Sequence, residues 1–165
     1  MEEFDLKLRI SPSDSQFRNL IGLDAYSKLK EETFKKHRFT CQGCGFKPLD
    51  ESKALVALNL HVIDINEEKP AESPCTILCK ACHSTQHIDV AIEKEWVQLV
   101  NSTYSQKSLI EKCRINMIQS MLTVDDTRTL KTTPLDFLKK MKAGQLTVNS
   151  KAKVIFTNKF EWGDL

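Results

Sequence analysis

"HRFTCQGCGF" (His37–Phe46) and "LCKACH" (Leu78–His83) each carry two cysteines separated by two residues, and their pairing decides how the chain folds. Thiolates at that spacing can each supply half of a tetrahedron around zinc, with bonds of roughly 2.3 Å. Cys41, Cys44, Cys79 and Cys82 are therefore the expected Zn²⁺ ligands, and the 34 residues between the pairs become a closed loop. Gly45 adds support, because the turn that wraps backbone N–H groups toward the sulfurs tends to need a positive φ just past the second cysteine. The chain's two other cysteines fall outside this pattern. Cys75, four residues before Cys79, reads as a buried thiol. Cys113 lies on the apolar face of an expected helix, where cysteine acts as a small hydrophobe.

Around the cysteines the composition is ordinary. A chain of 165 residues, 41% hydrophobic and 28% charged, is expected to form a single domain over 1–165. No stretch approaches the ~18 to 20 apolar residues that a bilayer crossing needs. The opening "MEEFDLKLRI" lacks the basic segment and apolar run of a signal peptide. A soluble, cytoplasmic protein without direct membrane insertion is the expectation, and in a reducing compartment paired cysteines bind metal more often than they form disulfides. With 24 basic and 22 acidic side chains the net charge is only +2, which disfavours a dedicated nucleic-acid binder.

The hydrophobic pattern gives an α+β class. "FDLKLRIS" alternates Phe4, Leu6, Leu8 and Ile10 with charged residues, the period of a half-buried strand, and "SPSDS" breaks it. From about Asp24 to His37, Tyr26, Leu29, Thr33 and Phe34 share one helical face, completing an N-terminal strand and helix over 1–40. "ALVALNLHVID" is rich in strand formers, and "INEEKPAESP" is a polar loop within a zinc core over 41–90. "CTILCKACHSTQHIDVAIEKEWVQLV" suggests helix, with Ile88, Ile92, Trp96, Leu99 and Val100 at helical spacing. "SLIEKCRINMIQSML" repeats that spacing through Ile110, Cys113, Met117, Ile118 and Met121, so 91–144 reads as a helical extension. Its last helix is the best punctuated: Thr133 as cap, Pro134 first, Asp136 three after the cap, lysines 139, 140 and 142 in the last turn, Gly144 at the end. Residues 145–165 form a C-terminal strand or tail, in which Phe160 and Trp162 are either exposed interface anchors or folded back on the core.

The histidines raise a second metal question. His83 and His87 are four apart, so a helix over Cys79–Val90 would put both on one face, where they could share an ion. His61 sits on the preceding strand. The plainer alternative has His83 packed beside the zinc and His87 solvated, while His37 reads as the end of a charged helix.

A zinc-closed loop in which a strand with a central His leads through a polar loop to "LCKACH" resembles the ββα-metal, or HNH, endonuclease fold over Cys41–His87. In that family the strand supplies a metal ligand followed by a general-base His, an Asn precedes the second cysteine pair, and the helix supplies further ligands. The resemblance implies ligand positions at His61, His83 and His87, which would be the catalytic residues of a metal-dependent HNH endonuclease acting on DNA. Val62, however, stands at the general-base position and Pro74 at the Asn position. Valine cannot accept a proton, and losing a positioned base typically costs about 10²- to 10⁴-fold in rate.

"DLKLRISPSDS", the helix into "HRFTCQGCGF", and "ALNL" before a loop and second cysteine pair are similar to the DotN/IcmJ family of type IVB secretion and related conjugation systems. The similarity is close over residues 4–82 and looser beyond. It implies an HNH-like zinc fold without nuclease function, serving as a coupling-complex subunit. The implied partners are the C-terminal segment of a DotL-like coupling ATPase and other coupling-complex subunits, with substrate recruitment at the inner face of the membrane. The chain departs from that family in keeping His61, His83 and His87.

Overall fold

The computed structural model of the protein describes residues 4–115, 127–129, 132–145 and 151–162. Among these residues the class is α+β, with seven α-helices and two small antiparallel sheets. Two compact units divide the chain: the first holds 4–5 and 11–83, the second 6–10 and 84–162, within the described residues.

In the first unit Ser13 caps α1 (Asp14–Ile21), its hydroxyl accepting the Gln16 N–H at 3.1 Å, while Asp14 in the first turn suits the helix dipole. Gly22, at φ 85°, redirects the chain into α2 (Leu23–Lys36). Thr33 and Phe34 point inward, as the sequence pattern expects, and Lys28–Glu32 and Lys35–Glu31 pair on the outer face. Those pairs offset part of the segment's positive charge.

Helix takes the first four residues of "ALVALNLHVID", where the sequence pattern expects strand throughout. Asp50 explains the difference, because its carboxylate accepts the Lys53 N–H at 2.8 Å and starts α3 (Glu51–Ala57). Strand β1 is confined to Leu58–Val62 and pairs antiparallel with β2 (Cys75–Cys79), Leu58 opposite Cys79 and Val62 opposite Cys75. Most residues of both strands are buried, since α1, α2 and α3 pack on the hairpin. The polar connection holds a 3-10 turn at Pro70–Glu72, and Ser73 Oγ accepts the Asn66 N–H across its base. Helix α4 (Lys80–Gln86) begins directly after β2 and crosses from the first unit to the second after His83.

The expected helix over Cys79–Val90 is broken at His87. In the second unit the N-terminal segment reaches this break: Ile10 pairs with His87 in an isolated bridge, Arg9 N–H donates to Thr85 C=O at 2.9 Å, and Ile88 N–H donates to Arg9 C=O at 3.0 Å. Bonding to a neighbouring backbone replaces the helical ladder there, and α5 (Ile88–Glu93) starts afresh. The same bridge is all that forms of the strand expected at Phe4–Ile10.

The extension over 91–144 is not helical throughout. Leu99 and Val100 lie in strand β3 (Val97–Ser102), the centre of a sheet ordered β4-β3-β5 with β4 (Thr127–Thr129) and β5 (Ala152–Phe156), both antiparallel. A buried central strand and a helix segment share the same apolar run, and here sheet pairing wins. Helix α6 (Gln106–Ile115) buries Ile110 and Cys113 as expected, and Leu109 with them; Met117, Ile118 and Met121 lie outside the described residues. Gln106, 2% exposed, mimics a strand neighbour: its Nε2 donates to Val154 C=O at 2.8 Å and its Oε1 accepts the Val154 N–H at 2.9 Å. Helix α7 (Pro134–Lys142) has the expected Thr133 cap, and Gly144 follows it at φ 67°. The tail forms edge strand β5 and then folds back. Phe160 is buried, with ring centroids 4.5 Å from Phe156 and 5.0 Å from Trp162, so these aromatics serve the unit's own core and not an exposed anchor.

Candidate metal centre

All four paired cysteines meet in the first unit. After α2, Arg38 and Phe39 adopt left-handed conformations (φ 52° and 53°) that deliver the chain to Cys41. Cys41 N–H donates to Phe46 C=O at 2.8 Å and Gly45 N–H to Cys41 C=O at 2.9 Å, closing a tight loop with Gly45 at φ 77°, the positive value the sequence predicts. Gln42 N–H donates to Ile77 C=O at 2.9 Å, which ties this loop to β2, and Cys79 N–H donates to Cys41 Sγ at 3.2 Å. The second pair follows from the strand-to-helix junction, Cys79 ending β2 and Cys82 lying on α4.

The geometry of the sulfurs matches a tetrahedral ion. Bonds of 2.3 Å to one tetrahedral centre place sulfurs about 3.8 Å apart. Cys44 Sγ lies 3.7 Å from both Cys41 Sγ and Cys79 Sγ, and the ligand atoms of all four residues fall within 4.8 Å of one another. All four cysteines are buried. Crowding sets their acidity: hydrogen bonding with Cys41 and Cys44, and then burial, raises Cys79 well above the ordinary thiol value. Cys82 is raised likewise, by Cys41 first. Cys41 is lowered: its hydrogen bond with Cys44 acts upward as the largest single effect, and those with Cys79 and Cys82 together outweigh it. Protein groups alone thus disfavour the thiolate at Cys79 and Cys82, whereas a doubly charged cation makes four thiolates stable together. Soft sulfur donors in this arrangement fit zinc or iron and not the harder ions.

The remaining cysteines stay apart from the cluster. Cys75 is half-buried, its thiol raised to about 11 by burial and by Asp14, and Cys113 packs on the apolar face of α6.

The first unit also gathers His61, His83 and a residue that spacing did not single out, Asp14. His61 lies mid-strand in β1 opposite Thr76 and is 1% exposed. Its ring meets that of His83 edge-on, centroids 5.3 Å apart at 84°, and Phe4 stacks edge-on at 6.2 Å. His83 Nε2 lies 3.0 Å from Asp14 Oδ2, the two side chains being 20% and 30% exposed. In the sequence Asp14 belongs to "SPSDS", read there only as a break after the N-terminal strand, and no ligand spacing links residue 14 to residues 61 and 83. His87 belongs to the second unit, where it precedes α5 and pairs with Ile10. His37 caps the C-terminus of α2, as expected, and burial lowers its pKa.

Val62 and Pro74 occupy the positions that the sequence marked as changed. Val62 is fully buried, next to His61 in the strand and therefore on the other face, while Pro74 is exposed with its C=O accepting the Ile63 N–H at 2.9 Å. No described helix is long and apolar enough to cross a membrane. No protein-family model matches the chain, and no curated protein sequence matches it.

Proposed function

We propose that the protein is a zinc-stabilised, HNH-like module that has no nuclease role and serves as a docking subunit in the coupling complex of a type IV secretion or conjugation system. The observation that carries the zinc-clasp part is the four-sulfur cluster at the junction of the β1–β2 hairpin and α4, with sulfur separations suited to a tetrahedral ion. Bound zinc would supply charge neutralisation for the four thiolates and a cross-link between chain segments that secondary structure alone does not join. Cys41 and Cys44 present the ion from a loop, Cys79 and Cys82 from the strand end and helix, and Gln42 and the Cys79 N–H lock the two halves together.

The docking role rests on the resemblance over residues 4–82, with the C-terminal segment of a coupling ATPase as partner at the cytoplasmic face of the membrane. An aliphatic, buried Val62 where that fold carries its general base supports a module without hydrolytic chemistry. Pull-down of the folded, zinc-loaded protein with the ATPase tail tests the role; absence of binding removes it. DNA endonuclease activity is the competing function, favoured by the approach of His61 to His83. It requires plasmid nicking in Mg²⁺, Mn²⁺ or Ni²⁺ that is abolished by His83→Ala.

A further inference from the structure

We infer that the outward face of α7 is a docking surface for a bilayer rich in anionic phospholipid, onto which the second unit adsorbs. The chain's charge is unevenly distributed. Residues 127–162 carry eight basic and two acidic side chains, while the rest of the chain is net acidic, a bias that the overall charge of +2 conceals. Asymmetry of this kind points to a polyanionic partner. Lys159 is already paired with Glu95, and Lys153 is half-buried. Three exposed lysines, Lys139, Lys140 and Lys142, stand together in the last turn of α7.

Helical geometry sorts α7 into two faces. Phe137, 2% exposed, turns inward, with Leu138 and Met141 half-buried beside it. Leu135, Lys139 and Lys142 follow one another at intervals of four and three residues, so they form one stripe on the opposite, solvent side. Asp136, the acidic residue of this helix, lies off the stripe and accepts the Thr133 hydroxyl at 2.7 Å, so no carboxylate interrupts the lysines. Leu135 is 63% exposed, an aliphatic side chain left in water at the head of a lysine row.

That composition separates lipid from other polyanions. Lysine outnumbers arginine seven to one in residues 127–162. Ammonium groups attract a charged surface as point charges, whereas recognition of nucleic acid favours the forked donors of arginine. An exposed leucine gains little against a sugar–phosphate backbone, but between lipid headgroups it leaves water. The helix has nine residues and is about 13 Å long, so it lies along the surface and does not cross it. Adsorption in this way keeps Phe137 in the core of the unit. It requires neither the cysteine cluster nor the proposed partnership with a coupling ATPase.

Co-sedimentation of the full, zinc-loaded chain with lipid vesicles provides the test. Vesicles of equal parts phosphatidylcholine and phosphatidylglycerol should pellet the protein, and vesicles of phosphatidylcholine alone should not. Salt at about 0.5 M should release it, since screening shortens the reach of each charge. Lys139→Gln/Lys142→Gln should lower the partition coefficient about 25-fold, at roughly fivefold per lysine. Leu135→Ala should lower it about fivefold. All three side chains are exposed, so the variants keep the fold, which circular dichroism checks. Lys36→Gln/Lys47→Gln, an equal change of charge at exposed positions of the first unit, should bind as the wild type does. Absence of binding to anionic vesicles overturns the inference, as does an equal loss in the two lysine pairs or wild-type binding by Leu135→Ala. Retention of a single-stranded oligonucleotide but not of vesicles would assign the stripe to nucleic acid and overturn it equally.

Discussion

Replacing Gly45 by alanine isolates the backbone's part in the cysteine loop. Gly45 sits at φ 77°, and a Cβ built there meets nothing within 4 Å, so the substitution introduces no steric clash with neighbouring groups. What it does introduce is the cost of holding an L-residue in the left-handed region, roughly 1–2 kcal/mol. The strain falls on the metal-ready form, because Gly45 N–H must reach Cys41 C=O at 2.9 Å for Cys41 and Cys44 to face the same ion. Zinc affinity should therefore drop about 5- to 30-fold, the equivalent of that free energy. Competition against a chelator of known affinity, with wild type and Gly45→Ala side by side, measures it. Gly45→Asn should lose less, since asparagine tolerates the left-handed region better than alanine. An alanine variant that binds zinc as tightly as the wild type would refute the link between this turn and the metal centre.

Three other perturbations have equally direct outcomes. Gln106→Ala strands the N–H and C=O of Val154 inside the second unit and should destabilise it by about 2–4 kcal/mol, with hydrogen exchange at the Val154 amide rising before that of β3; an unchanged denaturation midpoint would contradict this. Because the folded-state pKa of Cys75 is raised to about 11 from an ordinary 9.0, its contribution to stability is complete below pH 9 and is lost as pH rises through 11. Denaturation across that range should show the loss in wild type and a flatter profile in Cys75→Ala, and alkylation of Cys75 at pH 8 should be about a hundredfold slower than that of a free thiol. Cys79→Ser or a strong chelator should unfold the hairpin and its flanking loop, since metal binding in such sites is largely folding free energy; a thermal melt indifferent to both would count against a structural ion.

The sequence disclosed most where chemistry and spacing coincide. Two Cys-x-x-Cys pairs with Gly45 named all four clustered cysteines and the sign of one backbone angle, and Thr133, Pro134 and Gly144 marked both ends of α7. It disclosed least where one apolar run serves two structures. Leu99 and Val100 fit a helical stripe as well as a central strand, and only pairing with β4 and β5 chooses between them. Ala54–Ala57 went to helix because Asp50, four residues before that run begins, caps it, and a helix stopped at His87 because Ile10, far away in sequence, bonds there. Asp14 was hidden for the same reason. Side chains gathered from three distant segments leave no spacing to read, whereas pairs contributed by one turn do.

The proposed zinc clasp requires one zinc ion shared by Cys41, Cys44, Cys79 and Cys82. Titrating the reduced protein with a thiol-blocking mercurial while following released zinc tests it most directly. The predicted result is one zinc per chain, released in step with the reaction of those four thiols and absent from Cys41→Ser/Cys79→Ser. A folded protein whose four thiols react without releasing zinc would contradict it.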